Sequence, residues 1–199
     1  MKTIRFLPLL ALFCLALTGC GPDSINPIVP LNHTAQDPRL EGVWMAPDKN
    51  ETTYYHFGQR RASGRDGKTH TSIWMDVVGV EHPKNGALST GGYAVLPAKI
   101  GSRTYLSFAE QKQPGRGPGS HFNFARYDFN WKGDLRIYLA DEDALADAIR
   151  AGKLHGKVKS NQFGKDVLLT DSSAHLEAFF AAHDDPALFK GEPLVLHRR

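Results

Sequence analysis

Cysteine is almost missing from this chain. Its 199 residues include two, Cys14 and Cys20, and both fall within the first twenty positions. The remainder has no thiol pair, so a disulfide framework and a Cys-based metal site are excluded, and a folded body must be held by its core alone. Long apolar runs are missing as well. The longest, from Phe6 to Leu17, falls short of the roughly 20 residues that a membrane-crossing helix needs. Charge of one sign is also missing. The net charge is +3, and Lys2 and Arg5 account for two of the 24 cations; without them 22 basic residues face 21 acidic ones, for a net charge of +1. That balance gives no footing for nucleic acid. Familiar catalytic patterns are absent: the nine histidines form no H-x-H and no H-E-x-x-H, and there is neither a G-x-S-x-G elbow nor an EF-hand spacing.

What is present begins at the start. Met1-Lys2-Thr3-Ile4-Arg5 carries two cations and no acid, and a short apolar segment with no polar face follows it. This is the pattern of a secretory signal rather than of an amphipathic core helix. It ends in Leu17-Thr18-Gly19-Cys20. The four residues resemble the lipobox of bacterial lipoproteins: an aliphatic residue, a small one, Gly or Ala, then Cys. The resemblance implies that residues 1–19 are removed and that the Cys20 thiol is acylated. Two or three acyl chains, at about 0.8 kcal/mol per buried methylene, then hold the protein to a membrane. Gly21 follows, where Asp would mark inner-membrane retention in the enteric pattern. The expected address is therefore the outer membrane, facing the periplasm.

Residues 20–39 hold Pro22, Pro27, Pro30 and Pro38 among short polar residues. Proline at this density favours extended, semi-rigid chain. The segment reads as a tether between lipid and domain, or else as an edge segment lying on the domain. A single domain is expected over 40–199. Strand-like stretches dominate its first two thirds: 42–47, 52–58, 70–81, 91–100, 101–110, 121–130 and 135–140, punctuated by Gly, Asn and Asp turns. Helical signals come late. Asp141 can cap a helix from Glu142 to Ala151, with acids in its first turn and Gly152 after its end. A hairpin is expected around 160–165, then a second helix from Ser172 to His183 with Asp171 or Ser172 as its cap. The chain closes on a strand over 193–198. The expected fold class is α+β: a mainly antiparallel sheet or barrel-like body with two late α-helices packed on it.

Candidate sites are few. Loop 58–68 gathers Arg60, Arg61, Arg65 and Lys68 among small residues, a set able to grip phosphate or an acidic partner, or simply to be solvated. Loop 111–120, rich in Gly and Pro, suits a long hairpin loop or binding lid. The acids of 141–147 sit where a helix start favours them in any case. His175 and His183 fall two turns apart on one helix, too far to share an ion. The expectation is no metal, no cofactor and no catalysis.

Gly42-Val43-Trp44 resembles the G-x-W that opens the first strand of lipocalins. That resemblance implies a barrel whose Trp44 closes the bottom against an arginine from late in the chain, Arg198 or Arg199. It also implies an apolar cavity of several hundred Å³. The two helices and the late hairpin depart from that family's single late helix. Taken whole, the chain resembles small bacterial lipoproteins of uncharacterised activity. The leading expectation is a membrane-anchored envelope protein with a structural or protein-binding role, meeting an envelope protein partner. The alternatives are a lipocalin-like carrier and a periplasmic inhibitor of immunity type that uses loop 111–120.

Overall fold

The computed structural model describes residues 21–47, 51–63, 68–83, 86–111, 118–161, 164–183 and 186–199. Cys20, Arg65 and most of loop 111–120 lie outside these residues. Among the described residues eleven strands are formed: β1 (Asp23–Ser24), β2 (Gly42–Pro47), β3 (Glu51–Ser63), β4 (Thr69–Pro83), β5 (Ser89–Ile100), β6 (Arg103–Glu110), β7 (Asn123–Phe129), β8 (Leu135–Leu139), β9 (Gly156–Asn161), β10 (Gly164–Leu169) and β11 (Leu194–Arg198). Two α-helices follow β8: α1 (Glu142–Arg150) and α2 (Ser173–Ala182).

Strands β2 to β8 run as an antiparallel meander. The last strand, β11, pairs with β8 through Leu194–Leu196 and with β2 through His197 and Arg198, which closes an eight-stranded barrel. Closure pairs both end strands of the meander, β2 and β8, with β11. The body is mostly β, so α+β describes it only loosely, and the barrel is the arrangement adopted.

Alternation along each strand divides the side chains between two cores. Inward residues such as Trp44, Tyr55, Phe57, Met75, Val77, Val95, Leu106, Leu135 and Leu196 fill the lumen. Outward residues of β5 to β7, among them Ile100, Tyr105 and Phe124, build a second core outside the barrel, joined by Phe122 just before β7. Against them pack Leu145 and Ala148 of α1, and Leu176, Phe179 and Phe180 of α2.

The helices begin as their caps dictate. The Asp141 side chain accepts from the Ala144 backbone N–H at 2.8 Å, and Ser172 caps α2 by accepting from the His175 N–H. Within α1, Ala146 is buried with Leu145 and Ala148, whereas Ala144 and Ile149 are only partly buried. The β9–β10 hairpin forms a three-stranded sheet with β1, which joins β10 in parallel.

Residues 21–40 take the second of the two arrangements left open by the sequence. They lie along the body as a strap. Ile28 and Val29 are buried in the outer core. The Ile28 N–H donates to the buried Ser107 hydroxyl at 2.9 Å, and Ser24 exchanges backbone hydrogen bonds with Phe122. His33 meets Glu177 of α2 at 2.8 Å. Proline suits a strap for the same reason it suits a tether: its chain is extended and its missing N–H needs no partner.

Candidate functional site

One end of the barrel is sealed by Trp44. It is fully buried, and its indole N–H donates to the Leu40 carbonyl at 2.7 Å. The Arg198 guanidinium lies 5.1 Å from the Trp44 ring centroid and donates to the Glu41 carbonyl. Gly42 enters the strand at φ +122°, a conformation that side chains rarely adopt, and Arg198 approaches to 3.4 Å of where a Cβ would stand. The G-x-W pattern therefore has a local reason: glycine for the backbone and for the arginine, tryptophan for the plug. Arg199 lies apart from this plug, near Tyr54.

A short 3-10 turn over Pro38–Leu40 completes the seal. Asp37 caps it and also accepts from the Arg39 Nε at 2.9 Å and the Tyr127 hydroxyl at 2.9 Å. Burial works to raise the Asp37 pKa, but hydrogen bonds from Arg39 and Tyr127 outweigh it and hold the carboxyl below its ordinary value. Burial and the Asp37 charge push the Tyr127 hydroxyl the other way, which keeps it a donor. Arg39 lies 4.7 Å above the Phe129 ring centroid.

Burial falls away toward the other end. On β8, Leu135 is fully buried while Ile137 and Leu139 are partly so; on β11, Leu196 is fully buried and Leu194 is not. Between the two ends lies a cavity of about 60 Å³, lined by residues including Tyr55, Phe57, Tyr93, Phe108, Leu139 and Leu194, and no polar atom faces it. It is much smaller than the several hundred Å³ expected of a lipocalin-like lumen. A wider cleft of about 330 Å³ runs between the helices. It mixes alanines with Asp147 and Lys153, and among the described residues it gathers no convergent set of chemical groups.

The basic loop is placed differently from its expectation. Strands β3 and β4 run on past the barrel, with Arg61 opposite Thr71 and a register shift between Gln59 and Arg61. Arg60 and Arg61 are thus strand residues. The Arg60 guanidinium is bound by Asp76 of the neighbouring strand, and Gln111 donates to the same carboxylate at 2.9 Å. Burial raises the Asp76 pKa, yet the hydrogen bonds from Arg60 and Gln111 bring it below its ordinary value. Lys68 is exposed just ahead of β4.

One cluster has no counterpart in the sequence reading. His155, Asp171 and His175 bring three ligand-type atoms within 4.8 Å of one another. Asp171 stands just before α2 and is 2% exposed at its side chain. Its Oδ1 accepts from the Nδ1 of His155 at 2.7 Å and of His175 at 2.6 Å, and its Oδ2 accepts from the His155 backbone N–H at 2.7 Å. Burial pushes the carboxyl up, and the hydrogen bonds from His155 and His175 more than reverse it, leaving the pKa lowered. The pairing of β9 with β10 creates this meeting: Gly156 faces Leu169, so His155 and Asp171 flank the last rung. Asp171 and His175 are four residues apart across the start of α2, whereas His155 reaches them only through the hairpin.

Compared with known protein families, with curated proteins and with solved structures, the chain matches none. No helix among the described residues is long and apolar enough to cross a membrane.

Proposed function

We propose that this protein is a lipid-anchored envelope carrier, held by acylated Cys20, whose barrel takes the end of one slender apolar chain, in the manner of a lipocalin-like fold. One observation carries the reading: a closed barrel, plugged at one end by Trp44 and less buried toward the other, around a cavity that no polar atom faces. At roughly 30 Å³ per water in the liquid, such a volume has room for about two waters, neither of which would find a protein partner. An apolar occupant removes that conflict and gains about 25 cal/mol per Å² of surface it buries. The volume is below the roughly 300–1,000 Å³ of pockets that enclose drug-sized ligands. The fitting ligand is therefore narrow, such as the methyl end of a fatty acyl chain, rather than a ring system.

The strap adds to this reading. Asn123, at the start of β7 and at the end of the barrel opposite Trp44, donates to the Pro22 carbonyl at 3.0 Å. An acyl group on Cys20, two residues earlier, would put the barrel mouth at the lipid surface. The structural or protein-binding alternative has no surface of comparable definition among the described residues, and the inhibitor alternative rests on a loop largely outside them.

The test uses a chain beginning at Gly21 and a fluorescent fatty acid. Saturable one-to-one binding is expected, with loss of binding in Ala125→Trp, which plugs the lumen wall. Absence of binding, or equal binding by the plugged variant, would overturn the carrier reading.

A further inference from the structure

The His155–Asp171–His175 cluster is independent of the lumen, and its geometry asks for more than hydrogen bonding. An ionised carboxylate only accepts, so both imidazoles must present a proton at Nδ1 to the same Oδ1. Two rings from different elements thus converge on one oxygen. Asp171 cannot turn away. Its side chain is 2% exposed, its Oδ2 is tied to the His155 N–H, and its own carbonyl accepts from Asn26 of the strap at 2.8 Å. The histidines differ in kind. Their side chains are 75% and 42% exposed, their rings stand 5.6 Å apart, and solvent reaches both. A fixed anionic donor with two accessible imidazoles beside it is a preorganised half-shell.

We propose that His155 Nδ1, His175 Nδ1 and Asp171 Oδ1 bind one divalent transition-metal ion of the zinc class. Two nitrogens and one carboxylate oxygen are the donors such ions take, at about 2.0–2.2 Å. Zinc prefers four ligands, so water completes the shell on the exposed side. The present separations of 2.6 and 2.7 Å between nitrogen and oxygen suit a hydrogen bond. Small rotations of the two exposed rings open the space for the ion. Each neutral ring gives up its Nδ1 proton to water and takes one up at Nε2, so the charge of the rings is unchanged. Oδ2 keeps its bond to the His155 N–H and holds the carboxylate in place, as outer-shell partners do. The ion would join the turn before β9 to the first turn of α2, with Asn26 tying the strap to the same aspartate. With both rings open to solvent, the ion would cross-link the two elements that carry them.

The experiment titrates the full chain, in detergent, with Co²⁺ alone and then with Zn²⁺. One equivalent of Co²⁺ should give the visible d–d bands of a four- or five-coordinate ion, and Zn²⁺ should displace it. Mg²⁺ and Ca²⁺, which prefer all-oxygen shells, should not. His155→Ala and His175→Ala are substitutions at exposed rings. Each should weaken Co²⁺ binding at least about tenfold, the scale on which even outer-shell losses act, while the far-ultraviolet spectrum of the protein stays unchanged. Zinc should raise the melting temperature of the parent chain and leave that of His155→Ala unmoved. Absence of both the bands and micromolar Zn²⁺ binding would overturn the proposal. So would binding that survives in both histidine variants, because it would then belong to other surface histidines.

Discussion

Replacing Trp44 should unseat the sealed end of the barrel, and the size of the effect can be worked out. The ring is fully buried, packs 5.9 Å from the Phe129 ring, carries the Arg198 guanidinium on its face and donates to Leu40. Removing a large buried aromatic costs about 3–5 kcal/mol through lost transfer energy and the cavity left behind. The stacked guanidinium adds about 0.5–2 kcal/mol. A buried carbonyl left without its donor adds about 1–3 kcal/mol. Trp44→Ala thus removes about 5 kcal/mol or more, against a total of about 5–15 kcal/mol for a typical domain. Trp44→Phe keeps most of the ring but not its N–H, and should cost about 1–3 kcal/mol. Urea unfolding of the chain from Gly21, followed by far-ultraviolet circular dichroism, measures both. Trp44→Phe should shift the midpoint with an unchanged slope, and Trp44→Ala should leave little or no cooperative transition. A Trp44→Phe penalty under about 0.5 kcal/mol would show that the hydrogen bond to Leu40 holds nothing, and the account of the plug would fail.

Three further outcomes follow from the same geometry. Ile28→Ala, in the strap, should cost about 2–5 kcal/mol in the same unfolding assay, as for a buried core residue; a free tether would lose nothing. Gly42→Ala forces a residue with a Cβ to φ +122° beside Arg198 and should cost about 1–3 kcal/mol, read as a lowered urea midpoint. Asp37 has a folded pKa below its ordinary 3.8. Its contribution is therefore complete above that value and is lost as pH falls through the lower folded value. Unfolding midpoints followed from about pH 5 down to about pH 2 should fall more steeply for the parent chain than for Asp37→Asn.

Much of the barrel was legible because its signals are local. The strands over 91–100, 103–110 and 135–139 announce themselves by β-branched and aromatic residues between turn glycines, and Gly101 indeed turns at φ +60°. Both helices carry their caps in the sequence. Closure was not legible, because it depends on β11 reaching two strands at once, more than fifty residues and about 150 residues away along the chain. The strap was ambiguous for a physical reason: proline-rich chain is extended whether it hangs free or lies on a core, and Ile28 and Val29 are too few to decide. Arg60 was misread as a loop residue because Gly58 looks like a turn, while the strand continues through it. The histidine cluster stayed hidden since His155 and Asp171 meet only through the register of a hairpin. In contrast, the resemblance of Gly42-Val43-Trp44 to the lipocalin pattern implied an arginine partner for Trp44, Arg198 or Arg199, and the structure places Arg198 there.

The central proposal is that an apolar chain end enters the lumen from the end opposite Trp44 and reaches toward it. Fatty acids brominated near the methyl end or near the carboxylate, added to a Trp74→Phe/Trp131→Phe chain whose only indole is Trp44, test it directly. Bromine near the methyl end should quench Trp44 strongly, and bromine near the carboxylate should quench it weakly. Equal quenching by the two, or none by either, would contradict the account.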